Sequence, residues 1–411
     1  MAGLAAGWLC ERAGHRVVVY EAQPGRGMDA HTLRLDTSSG SGIVDVPLRV
    51  MSPHAWTSVL SLCREVGVDT FEVDTFASFT WLGGKTWLRN GSVRIGRRIL
   101  PFIDSPRFVN TDAASVALGL MRLATGGTIR GGATLGELAI ERRWPRTFFR
   151  AFLLPLLTTI CTCDEATLLR WPARDLIALF RQILFGRTLR RLNGGTPALV
   201  DGLARRLELR SRERVVAVTP GVSDAERVTV RTASGSVDTF DRVLVATQAN
   251  HVADFLDASL ERERAVLGRF RYDAGELVVH RDSRFMPPRR DDWTALNYLV
   301  SRDGSRSMFT VWVNPVEQSL AGAAPVFQTW NPLFPPLPAT VLAAVKFQRA
   351  VVDADSEQAQ LDLDELHAEP RRRIYFCGSY AAPGVPLLES AVRSSIKVTG
   401  HLGVTTPWSP G

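Results

Sequence analysis

The stretch MAGLAAGWLCERAGHRVVVYE, Met1 to Glu21, decides the fold. Its first part reads as a helix, and Val17-Val18-Val19-Tyr20-Glu21 follows as a strand ending on an acid. In a dinucleotide-binding βαβ unit a strand feeds a Gly-x-Gly-x-x-Gly turn, the pyrophosphate rests on the helix N-terminus, and an acid roughly 20 residues on takes the ribose hydroxyls. Gly3 matches the third glycine of that turn and Glu21 the acid. An acid there favours FAD or NAD, because the 2′-phosphate of NADP would meet like charge. The strand and first two glycines of such a unit are not part of the sequence. We therefore expect the reading frame to continue upstream of Met1 with a strand and Gly-x-Gly; if the chain is trimmed there, residues 1–411 alone should bind FAD poorly or not at all.

Composition sets the outer bounds. At 411 residues, with 45% hydrophobic and 22% charged residues, the chain matches a soluble globular protein of about two domains. The net charge of +7 rests on arginine, since only Lys85, Lys346 and Lys397 are lysines. Its densest clusters, Arg190-Arg191, Arg289-Arg290 and Arg371-Arg372-Arg373, are flanked by turn-like residues and lack the aromatic interleaving of a nucleic-acid surface. Nucleic acid is thus not an expected partner, whereas a weak peripheral contact with anionic lipid is compatible with the charge. The five cysteines have neither C-x-x-C nor metal-site spacing, and Glu11 and Arg12 interrupt the apolar start. These features point to a reducing, cytoplasmic setting. The composition does not fix an oligomeric state.

Further along, His31–Leu35 and Ile43–Val46 read as strands joined by a turn over Ser38–Gly42, and Ala55–Val66 has helical spacing before Gly67. Short strands and Leu-rich helices alternate to Arg191. Strand character returns at Arg214–Val218, Arg227–Thr232 and Arg242–Thr247. Then ELVVH, TALNYLV, MFTVWV and VFQTW follow with short polar turns, as in an antiparallel sheet. The strand Arg373–Phe376, then Cys377-Gly378-Ser379, then a helix over Pro386–Leu402 close the chain.

Three separated segments carry a resemblance: AGLAAGWLCERAGHRVVVYEA at the start, RLNGGTPALVDGLARRL with ERVVAV and FDRVLVAT in the middle, and IYFCGSYAAPGVPLLESAVRSS at the end. Together they resemble the flavin-containing amine oxidase and phytoene desaturase superfamily, and most of all its branch of FAD-dependent oxidoreductases often encoded beside cyclopropane fatty acid synthases. The resemblance implies an α/β fold: a discontinuous Rossmann-like FAD-binding domain, with a substrate domain of antiparallel sheet plus helices. The cofactor domain would comprise 1–55, 193–255 and 370–411, and the substrate domain 56–192 and 256–369.

It also implies roles for particular residues. Gly3 and Glu21 would take the diphosphate and ribose, with Gly25, Arg26 and Gly27 folding round the diphosphate. The backbone of Val215 would hold the adenine edge, and Ala246 would stand next to the diphosphate. Gly378 and Ser379 would approach the ribitol. The helix start at Pro386, Leu387, Leu388 and Glu389 would face the flavin pyrimidine edge, where its dipole favours the charge of reduced flavin.

Two departures matter. Relatives place a glycine after the strand that Val44-Asp45-Val46 resembles; this chain has Pro47-Leu48-Arg49, which brings a fixed cation near the flavin. Arg49 is accordingly the candidate catalytic residue, for an anionic substrate group or the reduced flavin. The lysine that holds a water near flavin N5 in many amine oxidases has no counterpart, so amine oxidation is not the default. Trp293, Asn297, Tyr298 and Trp312 are the candidate substrate-binding residues of an apolar cavity. The expected reaction moves hydride from a small hydrophobic molecule, an acyl chain or isoprenoid, to flavin N5. Its rivals are a redox-neutral flavin-dependent isomerase and a degenerate relative that has lost FAD. No Ser-His-Asp order, paired-carboxylate motif or metal spacing supports hydrolysis or a metal site.

Overall fold

Small residues let the first helix, Ala2–Arg12, pack closely on its neighbours: Ala2, Ala5, Ala6 and Gly7 are all buried. In the computed structural model, residues 1–408 are described except 38–39, 91, 96–97, 102–104, 162, 186–188 and 222–226. The helix packs on the C-terminal helix Leu388–Gly400, where the Ser395 hydroxyl donates to the carbonyl of Ala2 at 2.9 Å.

Beside it stand two parallel strand pairs. Val18–Glu21 pairs with Glu208–Ser211, and Val243–Val245 pairs with Ile374–Phe376. Among the described residues no ladder joins Val18–Glu21 to Val243–Val245, so the parallel layer is two pairs with facing edges. An antiparallel three-stranded sheet, Val215–Thr219, Val228–Thr232 and Val237–Phe240, completes this half. The Tyr20 hydroxyl ties it down by donating to Asp238 at 2.7 Å.

The other half is built on a seven-stranded sheet. Its order is Val341–Ala350, Tyr272–His280, Phe327–Trp330, Ser307–Trp312, Leu296–Val300, Ala77–Trp81, Thr86–Arg89. The four strands expected from the sequence are all present and antiparallel to one another where they pair. The sheet is nonetheless mixed, because Leu296–Val300 pairs in parallel with Ala77–Trp81. A parallel pair needs a long crossover, and over 200 residues of intervening chain provide it. The edge strand Val341–Ala350 is a further addition, hidden in the sequence by its alanines and by the proline-rich approach Pro335-Pro336-Leu337-Pro338.

Alternation sorts the sheet's two faces. Leu277, Val279, Val311 and Trp330 meet Val44 and Val46 on one face, while Phe79 and Tyr298 continue that face under the helices Thr111–Thr125, Leu154–Cys161 and Ala173–Phe185. The opposite face holds a buried polar stripe. There Ser78 donates to Asn297 at 2.9 Å, and Thr310, Thr329 and His280 are linked at 2.8 Å each. The strands Leu33–Thr37 and Gly40–Val44 pair antiparallel; Ser38 and Ser39 of the expected turn lie outside the described residues.

Candidate functional site

Between the facing edges of Val18–Glu21 and Val243–Val245 lies a cleft of about 1370 Å³. The helix Ala2–Arg12 contributes Gly3, Leu4 and Gly7 to its lining, and the three-stranded sheet contributes Val215, Val218 and Val230. Six residues singled out from the sequence share this lining: Gly3, Glu21, Arg26, Gly27, Val215 and Ala246. They come from four distant segments, and the fold brings them to one place.

The local geometry follows from residue type. The first helix has no side-chain cap at its N-terminus, so its leading N–H groups are open to an acceptor. A β-carbon built on Gly3 would stand 3.1 Å from that of Ala246, so the helix start and the strand end need the small pair. Glu21 ends its strand with Oε1 accepting from Gln23 N at 2.8 Å. Gly27, at φ +75, lies against the other carboxylate oxygen, so the turn wraps the acid. Arg26 is committed within the protein, its guanidinium paired with Asp29 at 2.7 Å and with Asp201. Gly25 packs on Ala30 outside the cleft lining.

The C-terminal candidates stand apart from that cleft, beside the first helix. Gly378 donates its N–H to the Ser394 hydroxyl at 3.0 Å, and a β-carbon there would meet the Tyr380 ring at 2.5 Å. Ser379 opens the turn Ser379–Ala381. Pro386 and Leu387 lead into the helix Leu388–Gly400, whose N-terminus also lacks a side-chain cap. Glu389 is engaged elsewhere: its two oxygens accept from Ser58 N and Val59 N at 3.0 Å each, capping the helix Thr57–Glu65.

Arg49 is half-buried and donates only to uncharged acceptors. Its Nη1 donates to Thr196 Oγ1 at 2.9 Å and Pro47 O at 3.2 Å, and its Nη2 to Met28 O at 3.3 Å. Burial pulls its pKa down to about 10, with Asp45 opposing and the like charges of Arg349 and Arg191 adding to the fall. The sequence reading missed the network that fixes this loop. Arg191, fully buried, pairs with Glu317 and with Asp45 at 3.4 Å, and donates to Arg49 O at 3.1 Å, while Asp45 also accepts from Thr196 N at 2.8 Å. An acid inside the apolar run Val44-Asp45-Val46 was the available signal.

A second cavity of about 250 Å³ opens on the sheet face that meets Val44 to Leu48. Tyr298, Phe309 and Trp330 line it with Leu154 and Pro155, and so do the charged Arg150, Asp164, Glu165 and Arg306. Of the four candidate substrate residues only Tyr298 is there. Trp293 and Trp312 pack edge to face on the opposite side of the sheet under Arg290, whose guanidinium carbon lies 3.8 and 4.6 Å from their rings. Asn297 is fully buried in the polar stripe. The nearby thiol of Cys163 is pushed up to about 12, chiefly by burial, which keeps it un-ionised. Among the described residues no group of three or more metal-ligating side chains occurs.

The family model for flavin containing amine oxidoreductases matches residues 1–314. The chain belongs to this family. FAD is accordingly its cofactor, and the residues present fit it: an uncapped helix start, a close glycine–alanine contact, and an acid at the end of the adjoining strand face one cleft. Solved structures agree on the fold. Putrescine oxidase bound to putrescine superposes with TM-score 0.63 at 14% identity, over 98% of this chain and 96% of that one. Reduced UDP-galactopyranose mutase gives 0.61 at 13%, over 98% and 94%. The CLA-producing fatty acid isomerase from P. acnes gives 0.63 at 12%, over 96% and 94%. Comparison with curated proteins gives no match.

Proposed function

We propose that this flavoenzyme is an FAD-dependent oxidoreductase acting on a small hydrophobic substrate, an acyl chain or isoprenoid. Bound FAD supplies a hydride acceptor at N5. The open helix start at Gly3, beside Ala246, holds the diphosphate, Glu21 the ribose, and the backbone of Val215 the adenine edge. Gly378 and Ser379 approach the ribitol, and the N-terminus of Leu388–Gly400 places its dipole at the flavin's edge. Arg49 brings a fixed positive charge to the same region.

One observation carries the substrate class. The 250 Å³ cavity is lined by Tyr298, Phe309, Trp330, Leu154 and Leu333 together with the charged Arg150, Asp164, Glu165 and Arg306, and opens on the sheet face that Gln328 ties to the Arg49 loop, donating to Asp45 O at 2.6 Å and accepting from Leu48 N at 2.8 Å. The aromatic and aliphatic part of that lining favours an apolar substrate segment, and the charged part a polar or anionic end such as that of an acyl chain. Anaerobic mixing of FAD-loaded protein with acyl-chain and isoprenoid substrates tests this. Bleaching of the flavin, with loss of one hydrogen pair from the substrate, is expected. Turnover that needs prior flavin reduction and leaves substrate mass unchanged would instead make the enzyme a redox-neutral isomerase.

A further inference from the structure

The helix Thr111–Thr125 is apolar on both faces. Ala113, Val116, Leu120 and Leu123 are buried in the core, and Gly119 admits the Phe148 ring against the helix. The opposite face presents Ala114, Ala117, Leu118, Met121 and Ala124, all exposed and none charged. Leu118 is 38% and Met121 56% exposed. A helix on a water-facing surface ordinarily carries charge there, and one that is apolar all round is ordinarily covered.

A further exposed apolar residue stands on the neighbouring helix. Arg122 donates to the carbonyl of Arg143, which joins the end of Thr111–Thr125 to the end of Leu135–Glu141, where Ile140 is 80% exposed. Its surroundings are cationic. Residues 106–146 hold six arginines against Asp112, Glu137 and Glu141, a net +2 once the Asp292 partner of Arg107 is counted, and Arg130, 4.0 Å from Glu137, and Arg143 are exposed. No helix of the described residues is long and apolar enough to cross a membrane.

We infer that this face docks on an anionic lipid bilayer, with Leu118, Met121 and Ile140 entering the headgroup boundary and Arg130 and Arg143 reaching lipid phosphates. An apolar helix face with basic residues at its margin is the arrangement that lies in a membrane interface. A second copy fits less well. A twofold contact would set one arginine margin against the other, whereas anionic lipid neutralises both. The inference does not depend on the reaction proposed above.

Flotation of the full chain with vesicles tests it. Binding to vesicles of phosphatidylcholine with a third phosphatidylglycerol is expected, falling steeply with salt, with little binding to pure phosphatidylcholine. Leu118→Glu with Met121→Glu, and separately Arg130→Glu with Arg143→Glu, are each expected to weaken binding roughly tenfold or more. Because these side chains face outward, the thermal midpoint should not move. Absence of vesicle binding, or equal binding by wild type and both double variants, would overturn the inference. So would a dimer in analytical ultracentrifugation that Leu118→Glu with Met121→Glu dissolves, since that would assign the face to a second copy.

Discussion

Gly3 meets Ala246 so closely that a β-carbon on the glycine would stand 3.1 Å from the alanine's. This contact closes the floor of the 1370 Å³ cleft at the open end of the first helix. Gly3→Val adds a branched side chain where neither backbone can withdraw without parting helix from strand. FAD affinity should fall by at least roughly tenfold, or about 1.4 kcal/mol, in a fluorescence titration, while the far-ultraviolet circular dichroism stays unchanged. Unaltered affinity would remove Gly3 from the cofactor site.

Arg49 spends its donors on Thr196, Pro47 and Met28 and faces no carboxylate within ion-pair distance among the described residues. If its charge stabilises the reduced flavin or an anionic substrate group, Arg49→Met should retain FAD yet slow anaerobic bleaching by roughly a hundredfold, the scale of one lost electrostatic contact. Arg49→Lys should recover part of the rate. Equal rates in wild type and Arg49→Met would give the residue a structural role only.

Arg191 lies 0% exposed between Glu317 and Asp45. Removing it by Arg191→Met strands two buried acids, so a loss of about 3–5 kcal/mol is expected in urea unfolding. Replacing all three partners with apolar residues should cost far less. A loss under about 1 kcal/mol for Arg191→Met would show that water reaches the network.

His280 and His367 set the acid response. Burial lowers His280 to about 4, with Asp282 opposing, and lowers His367 to about 3, with Arg372, His401 and Lys397 adding to it. Both are neutral when folded, and the unfolded chain takes up protons first. Their contribution is complete above about pH 6.5 and drains as pH falls towards 4 and then 3, with His280 alone accounting for about 3 kcal/mol. Urea melts from pH 7 to pH 4 should show this decline, and His280→Asn should flatten its upper part. Parallel profiles for the two proteins would contradict the assignment.

Much of this was legible in the sequence, and for physical reasons. Glycine before a helix, an acid ending a strand and a small residue ending another mark backbone positions, and Gly3, Glu21, Val215 and Ala246 do meet on one cleft. Side-chain facing was less accessible. Tyr298 and Asn297 are neighbours in sequence, yet the pleat sends Tyr298 to the cavity and Asn297 into the polar stripe. Trp293 and Trp312 could not be told from cavity residues by composition, since aromatic rings serve either sheet face equally. Pairing across long separations was invisible: Arg191 reaches Glu317 over 126 residues, and Ala77–Trp81 finds Leu296–Val300 in parallel. Nothing local encodes such contacts.

The most direct test of the account is an absorption titration with FAD of the purified protein, produced with any in-frame sequence upstream of Met1 included, followed by anaerobic addition of acyl-chain and isoprenoid substrates. Uptake of a single FAD that shows the spectrum of bound oxidised flavin, and bleaches when a substrate is added, is the predicted result. A protein that remains colourless and takes up no FAD at saturating cofactor would contradict the account at its centre.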